Sequence, residues 1–330
     1  MIEVRNLTKK YGDITAIDNI SFTIESGKIY GLLGPNGAGK STTMNIITGC
    51  LAATEGSVTI NGHDIFEEPL EAKRCIGYLP EIPPLYTDMT PAEYLTFVAE
   101  AKGVDYELTL RQVREVIELT GLTEVENRLI SGLSKGYRQR VGIAQAMLGN
   151  PDIIILDEPT VGLDPRQIIE IRDLIRMLGE VKTVIFSSHI LAEVSEICER
   201  VIIIDHGKII ADDTIENLKA SVGNNDILNL AVRGAEDVVT ETLEKIEGIE
   251  STEILPSTEP GVCRIRIKIK RGLDLRDTIF FAMADRRCAV LEMEHEESSL
   301  ECIFMSLLGN ADEDNEDNND NDNDNAREEE

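Results

Sequence analysis

The stretch Gly34–Thr42 reads Gly-Pro-Asn-Gly-Ala-Gly-Lys-Ser-Thr and fits the phosphate-loop pattern G-x-x-x-x-G-K-[ST]. The preceding Ile29–Leu33 is short and mostly apolar, as expected for a buried strand, and Thr42–Ile47 has the composition of the first turns of a helix. Glycines let main-chain N–H groups converge on phosphate oxygens, and a helix N-terminus adds free donors. This context favours a nucleotide site over a glycine turn that precedes an ordinary helix.

The predicted nucleotide contacts are the residues of the loop itself. Lys40 is expected to reach the β and γ phosphates, and the Ser41 hydroxyl is expected to hold Mg²⁺. The whole predicted set is Gly34, Pro35, Asn36, Gly37, Ala38, Gly39, Lys40, Ser41 and Thr42. By itself this loop predicts a nucleotide and nothing more specific.

The composition argues against nucleic acid as a partner. The chain has 330 residues, with 61 acidic against 32 basic residues and a net charge of −29. Binding to nucleic acid requires clustered Lys and Arg that displace counterions from the phosphates. The segment 311–330 holds 11 acidic residues and one Arg, and we expect this low-complexity tail to be disordered.

The sequence predicts neither a secreted nor a membrane-spanning chain. The six cysteines are scattered without a C-x-x-C pair, which favours reduced cytosolic thiols over a disulfide framework or a zinc site. The N-terminus lacks an apolar signal-peptide core, and no apolar run approaches the roughly 18 residues of a membrane helix. A role at a membrane would therefore need another subunit that spans the bilayer.

Buried strands alternate with helices up to about residue 220. This alternation predicts an α/β domain, 1–220, with a mostly parallel sheet, an antiparallel β subdomain and a helical insert at about 82–150. Within the insert, Thr90-Pro91-Ala92-Glu93 predicts a capping box, and Thr109 is expected to begin the next helix.

The order of predicted strands and helices changes over residues 221–310. The predicted order there is βαββαβ, which suggests a small α+β ferredoxin-like domain that ends in an extra helix at Ser298–Leu308. The sequence allows two functions for this region: it binds a regulatory ligand, or it is an appendage that docks or stabilises a dimer.

Two carboxylates follow the apolar strand Ile153–Leu156. In phosphate-loop proteins an Asp at this place, here Asp157, completes the Mg²⁺ shell, and the adjacent Glu158 can polarise the attacking water. The alternative is a pair of solvated carboxylates that cap the next helix.

Leu133–Arg140 resembles the signature motif L-S-G-G-Q-x-Q-R of the ATP-binding cassette (ABC) ATPases. Leu133, Ser134, Gly136, Gln139 and Arg140 match the motif, whereas Lys135 and Tyr137 replace a glycine and a glutamine. A local capping turn would explain Ser134 alone. The resemblance extends in order over residues 1–220 and implies the cassette form of the phosphate-loop NTPase fold.

The resemblance also implies roles for three isolated residues. Tyr11, in the polar turn Lys10–Asp13, matches the aromatic residue that stacks on adenine. Asp164 matches the D-loop and is also a good helix N-cap, and His189 matches the switch histidine at the γ-phosphate. Taken alone, a single histidine after a strand is more often structural.

Glu81 stands where the family usually has a glutamine. A carboxylate can ligate Mg²⁺ at least as well as an amide, so we expect Glu81 to be a third metal ligand beside Ser41 and Asp157. Gly77–Glu81 looks like the variant in export-type cassettes whose membrane partners are of the ABC-2 type.

The resemblance therefore implies an ATP-hydrolysing subunit of an ABC-2-type exporter, with ATP and Mg²⁺ as its ligands. By the same resemblance, we expect this subunit to lie on the cytoplasmic side of the plasma membrane, with the helical insert and the Ile82–Met89 loop facing the permease. We also expect two ATP in a head-to-tail dimer with a second copy or a paralogous cassette. Ser134, Lys135, Gly136 and Tyr137 then contact the ATP of the other subunit.

A soluble ABC ATPase that acts on ribosomes or DNA is the alternative. Ribosome-acting members usually carry two cassettes in one chain, and DNA-repair members carry a long coiled coil. The single cassette, the short insert and the acidic charge disfavour both.

Overall fold

The computed structural model describes residues 1–221, 226–257, 259–270 and 273–296. The chain divides into two compact units, Met1–Ile215 and Glu216–Glu330. The strands of the first unit are β1 (Ile2–Tyr11), β2 (Ile14–Ile24), β3 (Ile29–Leu33), β4 (Glu55–Ile60), β5 (His63–Asp64), β6 (Ile76–Leu79), β7 (Ile153–Leu156), β8 (Thr183–Ser188), β9 (Arg200–Asp205) and β10 (Lys208–Thr214). Its helices are α1 (Lys40–Ile47), α2 (Pro69–Arg74), α3 (Pro91–Ala101), α4 (Tyr106–Leu119), α5 (Lys135–Met147), α6 (Pro165–Gly179) and α7 (Leu191–Ile197). Helix α8 (Ile215–Ser221) spans the boundary between the units.

The central sheet of the first unit brings the candidate residues to one edge. Its strand order is β10-β9-β3-β8-β7-β6, and every pair is parallel except β10 with β9. Strands β3, β6, β7 and β8 therefore end at the same edge of the sheet. The phosphate loop, Glu81, the Asp157–Glu158 pair and His189 follow these four ends directly, which is the usual place for ligands in such sheets.

A second, antiparallel sheet has the order β2-β1-β4-β5. One apolar core joins it to the central sheet around α1, whose Met44, Ile46 and Ile47 are almost fully buried. Tyr11 is the last residue of β1 and pairs with Ile14, so the prediction that it lies in the turn is wrong. The hairpin turn consists of Gly12 and Asp13, and Gly12 takes the positive φ that this tight connection needs.

The helical insert begins with a helix that is capped as predicted. Thr90 accepts a hydrogen bond from the Glu93 N–H, and the Glu93 side chain accepts one from the Thr90 N–H. The next helix, α4, begins at Tyr106 and not at Thr109, as the sequence suggested. The carbonyl of Asp105 accepts hydrogen bonds from the N–H of Thr109 and from its hydroxyl, so the first turn is already formed at that residue.

Helix α5 packs directly against β6. A Cβ on Gly77 of β6 would lie 1.9 Å from the carbonyl oxygen of Ala146, so only glycine fits there. The amide of Gln145 donates a 2.7 Å hydrogen bond to the carbonyl of Tyr78, and Lys102 donates to the carbonyls of Gln145 and Leu148 at the end of α5. The helix that carries the signature residues is thus fixed to the strand that leads to Glu81.

The second unit contains the elements β11 (Asp226–Arg233), α9 (Glu236–Leu243), β12 (Ile249–Leu255), β13 (Val262–Ile269), α10 (Arg276–Asp285) and β14 (Ala289–Glu296). Its sheet has the order β12-β13-β11-β14 with antiparallel pairs throughout, which is the ferredoxin-like arrangement. Residues of the sheet, α9 and α10 form one apolar cluster. The predicted fold class, an α/β cassette with a small ferredoxin-like domain, is confirmed. The predicted helix Ser298–Leu308 and the predicted disordered tail 311–330 lie outside the described residues.

Within the described ranges, no helix combines the length and the apolar character that crossing a bilayer requires.

Candidate nucleotide-binding site

A pocket of about 400 Å³ opens above the carboxyl edge of the central sheet. Residues from the phosphate loop, the β6, β7 and β8 ends and the antiparallel sheet line it: Ala16, Asn36, Gly37, Gly39, Lys40, Ser41, Thr42, Glu81, Glu158, Val161 and His189. The structure therefore brings together residues from four separate segments of the sequence that were predicted to share a site, namely Lys40, Ser41, Glu81, Glu158 and His189.

The phosphate loop has the geometry of an anion cradle. Gly37 and Gly39 take φ values of +86° and +108°, which residues with a Cβ rarely adopt. A Cβ on Gly37 would meet nothing within 4 Å, because this residue faces the open pocket. No side chain caps the N-terminus of α1, so its first N–H groups are available to a ligand. The main chain of this loop therefore fits the phosphates of a nucleotide.

Lys40 is the buried cation of the site. Its Nζ donates hydrogen bonds to the carbonyls of Gly34 and Pro35 at 2.8 and 3.2 Å, and it lies 3.6 Å from Glu158 Oε1. Only 5% of Lys40 and 7% of Glu158 is exposed, so the two charges interact with little screening by water. The ammonium is thus held by the same loop whose N–H groups face the pocket.

Asp157 is not among the residues that line the pocket, and it contacts the hydroxyls of the lining residue Ser41 and of the buried Ser187. Ser41 Oγ lies 3.3 Å from Asp157 Oδ1, and Ser187 Oγ donates to the same oxygen at 2.6 Å. Asp157 is 2% exposed, and a buried carboxylate needs such donors. Burial and the nearby Asp157 carboxylate raise the pKa of Tyr78, whose hydroxyl donates to Asn45.

Glu158 and His189 form a direct pair. Glu158 Oε2 lies 2.9 Å from His189 Nδ1, and the Glu158 N–H donates to Ser187 Oγ at 2.9 Å. Glu158 has a φ of +47°, an uncommon backbone conformation for a non-glycine residue that costs of order 1–3 kcal/mol. The loop after β7 holds this conformation, which is a feature that clusters at functional sites.

The oxygen atoms that the protein offers at this pocket fit Mg²⁺ that is also bound by a phosphate. They fit a metal bound by protein side chains alone less well. The described residues contain no group of three His, Cys, Asp or Glu side chains that could hold a metal. Mg²⁺ usually keeps several waters and binds through one or two carboxylates together with substrate phosphates. The Ser41 hydroxyl, the Asp157 carboxylate and the exposed Glu81 carboxylate at the same pocket are oxygen donors of that kind.

Tyr11 is not among the residues that line this pocket. Its ring is half-exposed at the end of β1, and the Lys9 ammonium lies 5.1 Å from the ring centroid. Ala16, on the neighbouring strand β2, contributes to the lining instead. Stacking of adenine on Tyr11 stays a prediction.

Three of the four predicted signature residues, Ser134, Gly136 and Tyr137, line a different pocket. This second pocket has a volume of about 290 Å³ and is lined by Gly121, Ser134, Gly136, Tyr137, Arg140, Asp164, Arg166, Gln167 and Glu170. Ser134 caps α5 by accepting a hydrogen bond from the Tyr137 N–H. Asp164 caps α6 in the same way through the Gln167 N–H, so the predicted N-cap is present. The two pockets share no lining residue.

Two contacts join the signature segment to α6 and to the loop that precedes it. The Gln167 side chain covers Gly136 so closely that a Cβ there would lie 2.6 Å from Gln167 Cδ. The ammonium of Lys135 lies 2.3 Å from the place of a Cβ on Gly162. Lys135 is therefore directed toward the D-loop of its own chain and does not line the second pocket.

Sequence reasoning missed two polar side chains that organise the two pockets, the Ser187 hydroxyl and the Gln167 amide. Ser187 binds both Asp157 and the main chain of Glu158, and Gln167 covers the signature glycine. The available signal for Ser187 was a pair of polar residues, Ser187 and Ser188, at the end of an otherwise apolar strand, next to the predicted histidine.

Known proteins are similar to this chain over nearly its whole length. A family model described as ABC transporter matches residues 17–161. The chain is 32% identical to the linearmycin resistance ATP-binding protein of Bacillus subtilis (strain 168), over 94% of this chain and 98% of that protein. It is 33% identical to the bacitracin transport ATP-binding protein of Bacillus licheniformis, over 94% of this chain and 97% of that protein.

Solved structures match the cassette. The structure of an ATP-binding subunit of an ABC transporter is 30% identical, covers 68% of this chain and 93% of that chain, and has a TM-score of 0.62. A dimeric ATP-binding cassette in a post-hydrolysis state, bound to ADP and phosphate, is 29% identical, covers 65% of this chain and 99% of that chain, and has a TM-score of 0.59. Together with the two pockets, these similarities show that the chain belongs to the ABC transporter family as an ATP-binding subunit with ATPase activity.

Proposed function

We propose that this ATPase drives an ABC-2-type exporter and that two cassettes enclose two ATP in a head-to-tail dimer. The observation that carries the proposal is the separation of the two half-sites within one chain. Lys40, Glu158 and His189 line one pocket, whereas Ser134 and Gly136 line another that shares no residue with it. A single chain therefore offers two incomplete halves, which a second copy or a paralogous cassette would complete.

The first half-site binds the nucleotide and performs the hydrolysis. The N–H groups of Gly34–Thr42 and the Lys40 ammonium neutralise the triphosphate, because they present donors at a helix N-terminus. Ser41, Asp157 and Glu81 hold Mg²⁺, which supplies further charge neutralisation at the phosphates. Tyr11 stacks on the adenine. Phosphoryl transfer depends mostly on such positioning and on charge stabilisation.

Glu158 acts as the general base toward water. The Lys40 ammonium lies 3.6 Å from Glu158 Oε1 and places a positive charge beside this carboxylate. His189 contacts the other carboxylate oxygen, Oε2, and thereby orients the group in the pocket. His189 also faces the γ-phosphate.

The second half-site acts on the ATP of the partner subunit. Ser134, Gly136, Lys135 and Tyr137 present the N-terminus of α5, with a lysine where the family has a glycine. Asp164 holds the adjoining D-loop through its cap on α6. The helix N-terminus provides an anion site of the same physical kind as the phosphate loop.

The helical insert supplies the surface for the ABC-2-type permease. Ile82 is 80% exposed, and Tyr86 and Phe97 are exposed neighbours with ring centroids 5.4 Å apart. Exposed apolar groups at one place usually mark a protein contact. Export is supported by the relatives named for antibiotic resistance or transport, such as those for linearmycin and bacitracin.

The division of the chain is part of this proposal. Residues 1–220 form the cassette, and 221–310 form an accessory domain that strengthens docking or dimerisation. The Ser299–Phe304 ending, which resembles the close of export-type ATPases, lies outside the described residues.

The decisive experiment uses the Glu158→Gln variant. We expect kcat for ATP hydrolysis to fall about 10²–10⁴-fold, because the general base is removed. We also expect an ATP-dependent dimer that is stable in size-exclusion chromatography, with Glu196→Gln as an active control. A variant that stays monomeric with ATP and hydrolyses normally would refute these roles.

Co-purification with a membrane permease, compared with co-sedimentation with ribosomes, tests the transporter assignment.

A further inference from the structure

Glu193 is a buried acid that the proposed mechanism does not use. It lies on α7, it is 2% exposed, and within the described ranges no Lys or Arg forms an ion pair with it. By contrast, Glu196 on the same helix is exposed and pairs with Arg172. Burial of a carboxyl group without a cation lowers stability, so the fold alone gives no reason to prefer an acid at position 193.

One oxygen of Glu193 accepts hydrogen bonds from two hydroxyls, one in the segment after β7 and one at the end of β8. Glu193 Oε2 accepts a 2.7 Å hydrogen bond from Thr160 Oγ1 and a 2.9 Å hydrogen bond from Ser188 Oγ. Both donors are buried, at 5% and 0% exposure. The carboxyl group therefore ties the segment after β7 to the end of β8.

The two anchored segments carry the two residues of the Glu158–His189 pair. Thr160 lies two positions after Glu158 and directly precedes Val161, which lines the nucleotide pocket. Ser188 directly precedes His189, and its Oγ also accepts a hydrogen bond from the Ile190 N–H. The main chain on both sides of His189 is thus fixed to the hydroxyl that Glu193 binds.

We propose that Glu193 is a positioning residue that fixes His189 relative to Glu158. The inference rests on the proposed roles of those two residues in hydrolysis. Glu158 Oε2 and His189 Nδ1 are 2.9 Å apart, although they belong to loops that follow separate strands. The bridge through Thr160, Glu193 and Ser188 sets the spacing of these loops without contacting the nucleotide.

The test compares Glu193→Ala with Glu193→Gln by steady-state ATPase kinetics. We expect Glu193→Ala to lower kcat about tenfold to a hundredfold with KM unchanged, because misplacement of a catalytic group affects the chemical step. Glu193→Gln keeps an oxygen acceptor for both hydroxyls and should restore most of the activity. Glu196→Gln is the matched control on the same helix and should behave as the native chain.

A second comparison separates positioning from a general loss of stability. If Glu193 acts through His189, Glu193→Ala should change kcat less than about twofold in a His189→Ala background, since coupled sites are not additive. An equal loss of kcat in both backgrounds would overturn the proposal. Thr160→Val and Ser188→Ala each remove one hydroxyl and should lower kcat in the same way if Glu193→Ala does not fold.

The two proposals fail in different ways. Full activity of Glu158→Gln would refute the proposed catalytic roles. An inactive Glu158→Gln together with a native-like Glu193→Ala would refute only the positioning role.

Discussion

Ser187 Oγ donates a 2.6 Å hydrogen bond to Asp157 Oδ1 and at the same time accepts the main-chain N–H of Glu158 at 2.9 Å. A single hydroxyl at the end of β8 therefore fixes the side chain of one acidic residue and the backbone of the next. Ser187 has no exposed surface, so water cannot replace either bond.

We predict that Ser187→Ala destabilises the protein by about 1–3 kcal/mol, because the buried Glu158 N–H loses its acceptor. The positive φ of Glu158 depends on that contact, so we also expect kcat for ATP hydrolysis to fall about tenfold or more. Urea unfolding and ATPase assays measure the two effects. Ser195→Ala is the control, because among the described residues this hydroxyl donates its hydrogen bond to the nearby Ala192 carbonyl. Equal stability and activity of the two variants would contradict this prediction.

The sequence predicted where the site residues lie better than it predicted the hydrogen bonds that connect them. Strand ends of a parallel sheet meet at one edge, so the pattern of Ile29–Leu33 and Ile153–Leu156 was enough to bring Lys40 and Glu158 together. The hydroxyls of Ser187 and Ser188 carry no such pattern, because a serine after an apolar strand has many local uses.

The predicted ends of strands and helices were wrong where tertiary contacts determine them. Tyr11 continues β1 because the strand pairs with β2 as far as Ile14, whereas the local residues Lys10–Asp13 favour a turn. Helix α4 begins at Tyr106, with Asp105 at the N-cap, and not at Thr109, because Thr109 is 2% exposed and buried within the insert. The packing of Gln167 on Gly136 joins two helices, and no local pattern could predict it.

Glu81 provides a prediction about metal dependence. We expect Glu81→Ala to raise the Mg²⁺ concentration for half-maximal hydrolysis about tenfold or more, whereas Glu81→Gln, which keeps an oxygen donor, changes it less. Asp88→Ala removes another exposed carboxylate from the same loop and should have no effect. The measurement is ATPase activity over a Mg²⁺ titration at constant free ATP. An unchanged titration for Glu81→Ala would exclude Glu81 as a ligand.

Substitution by alanine is expected to affect stability differently at two glycines, Gly77 and Gly136. Gly77→Ala should destabilise the protein by about 1–3 kcal/mol, because the new Cβ would meet the main-chain carbonyl of Ala146, which cannot move aside cheaply. Gly136→Ala would meet only the end of the Gln167 side chain, which can rotate away, so we expect almost no change in stability. Thermal unfolding of the two variants measures this difference.

The Gly136→Ala variant should nevertheless hydrolyse ATP more slowly, because it moves Gln167 from its place over the signature segment. The double variant Gly136→Ala with Gln167→Ala removes the clash and serves as its control for stability. If Gly136→Ala were as unstable as Gly77→Ala, the contact with Gln167 would have to be rigid, contrary to this argument.

Thiol reactivity gives a last prediction, which depends on pH. Burial raises the pKa of the Cys198 thiol well above its ordinary value of 9.0, with a further contribution from Glu199, whereas Cys50 is exposed. Alkylating reagents attack the thiolate, so at pH 8 iodoacetamide should modify Cys50 readily and leave Cys198 almost unmodified. Because the pKa of Cys198 is raised, its reaction should still be accelerating with pH above 9. Mass spectrometry of the digested protein assigns each modified cysteine, and unfolding in urea should make Cys198 reactive. The Cys198 thiol packs on Gly31 of β3, so rapid modification of Cys198 in the folded protein at pH 8 would show that this contact opens in solution.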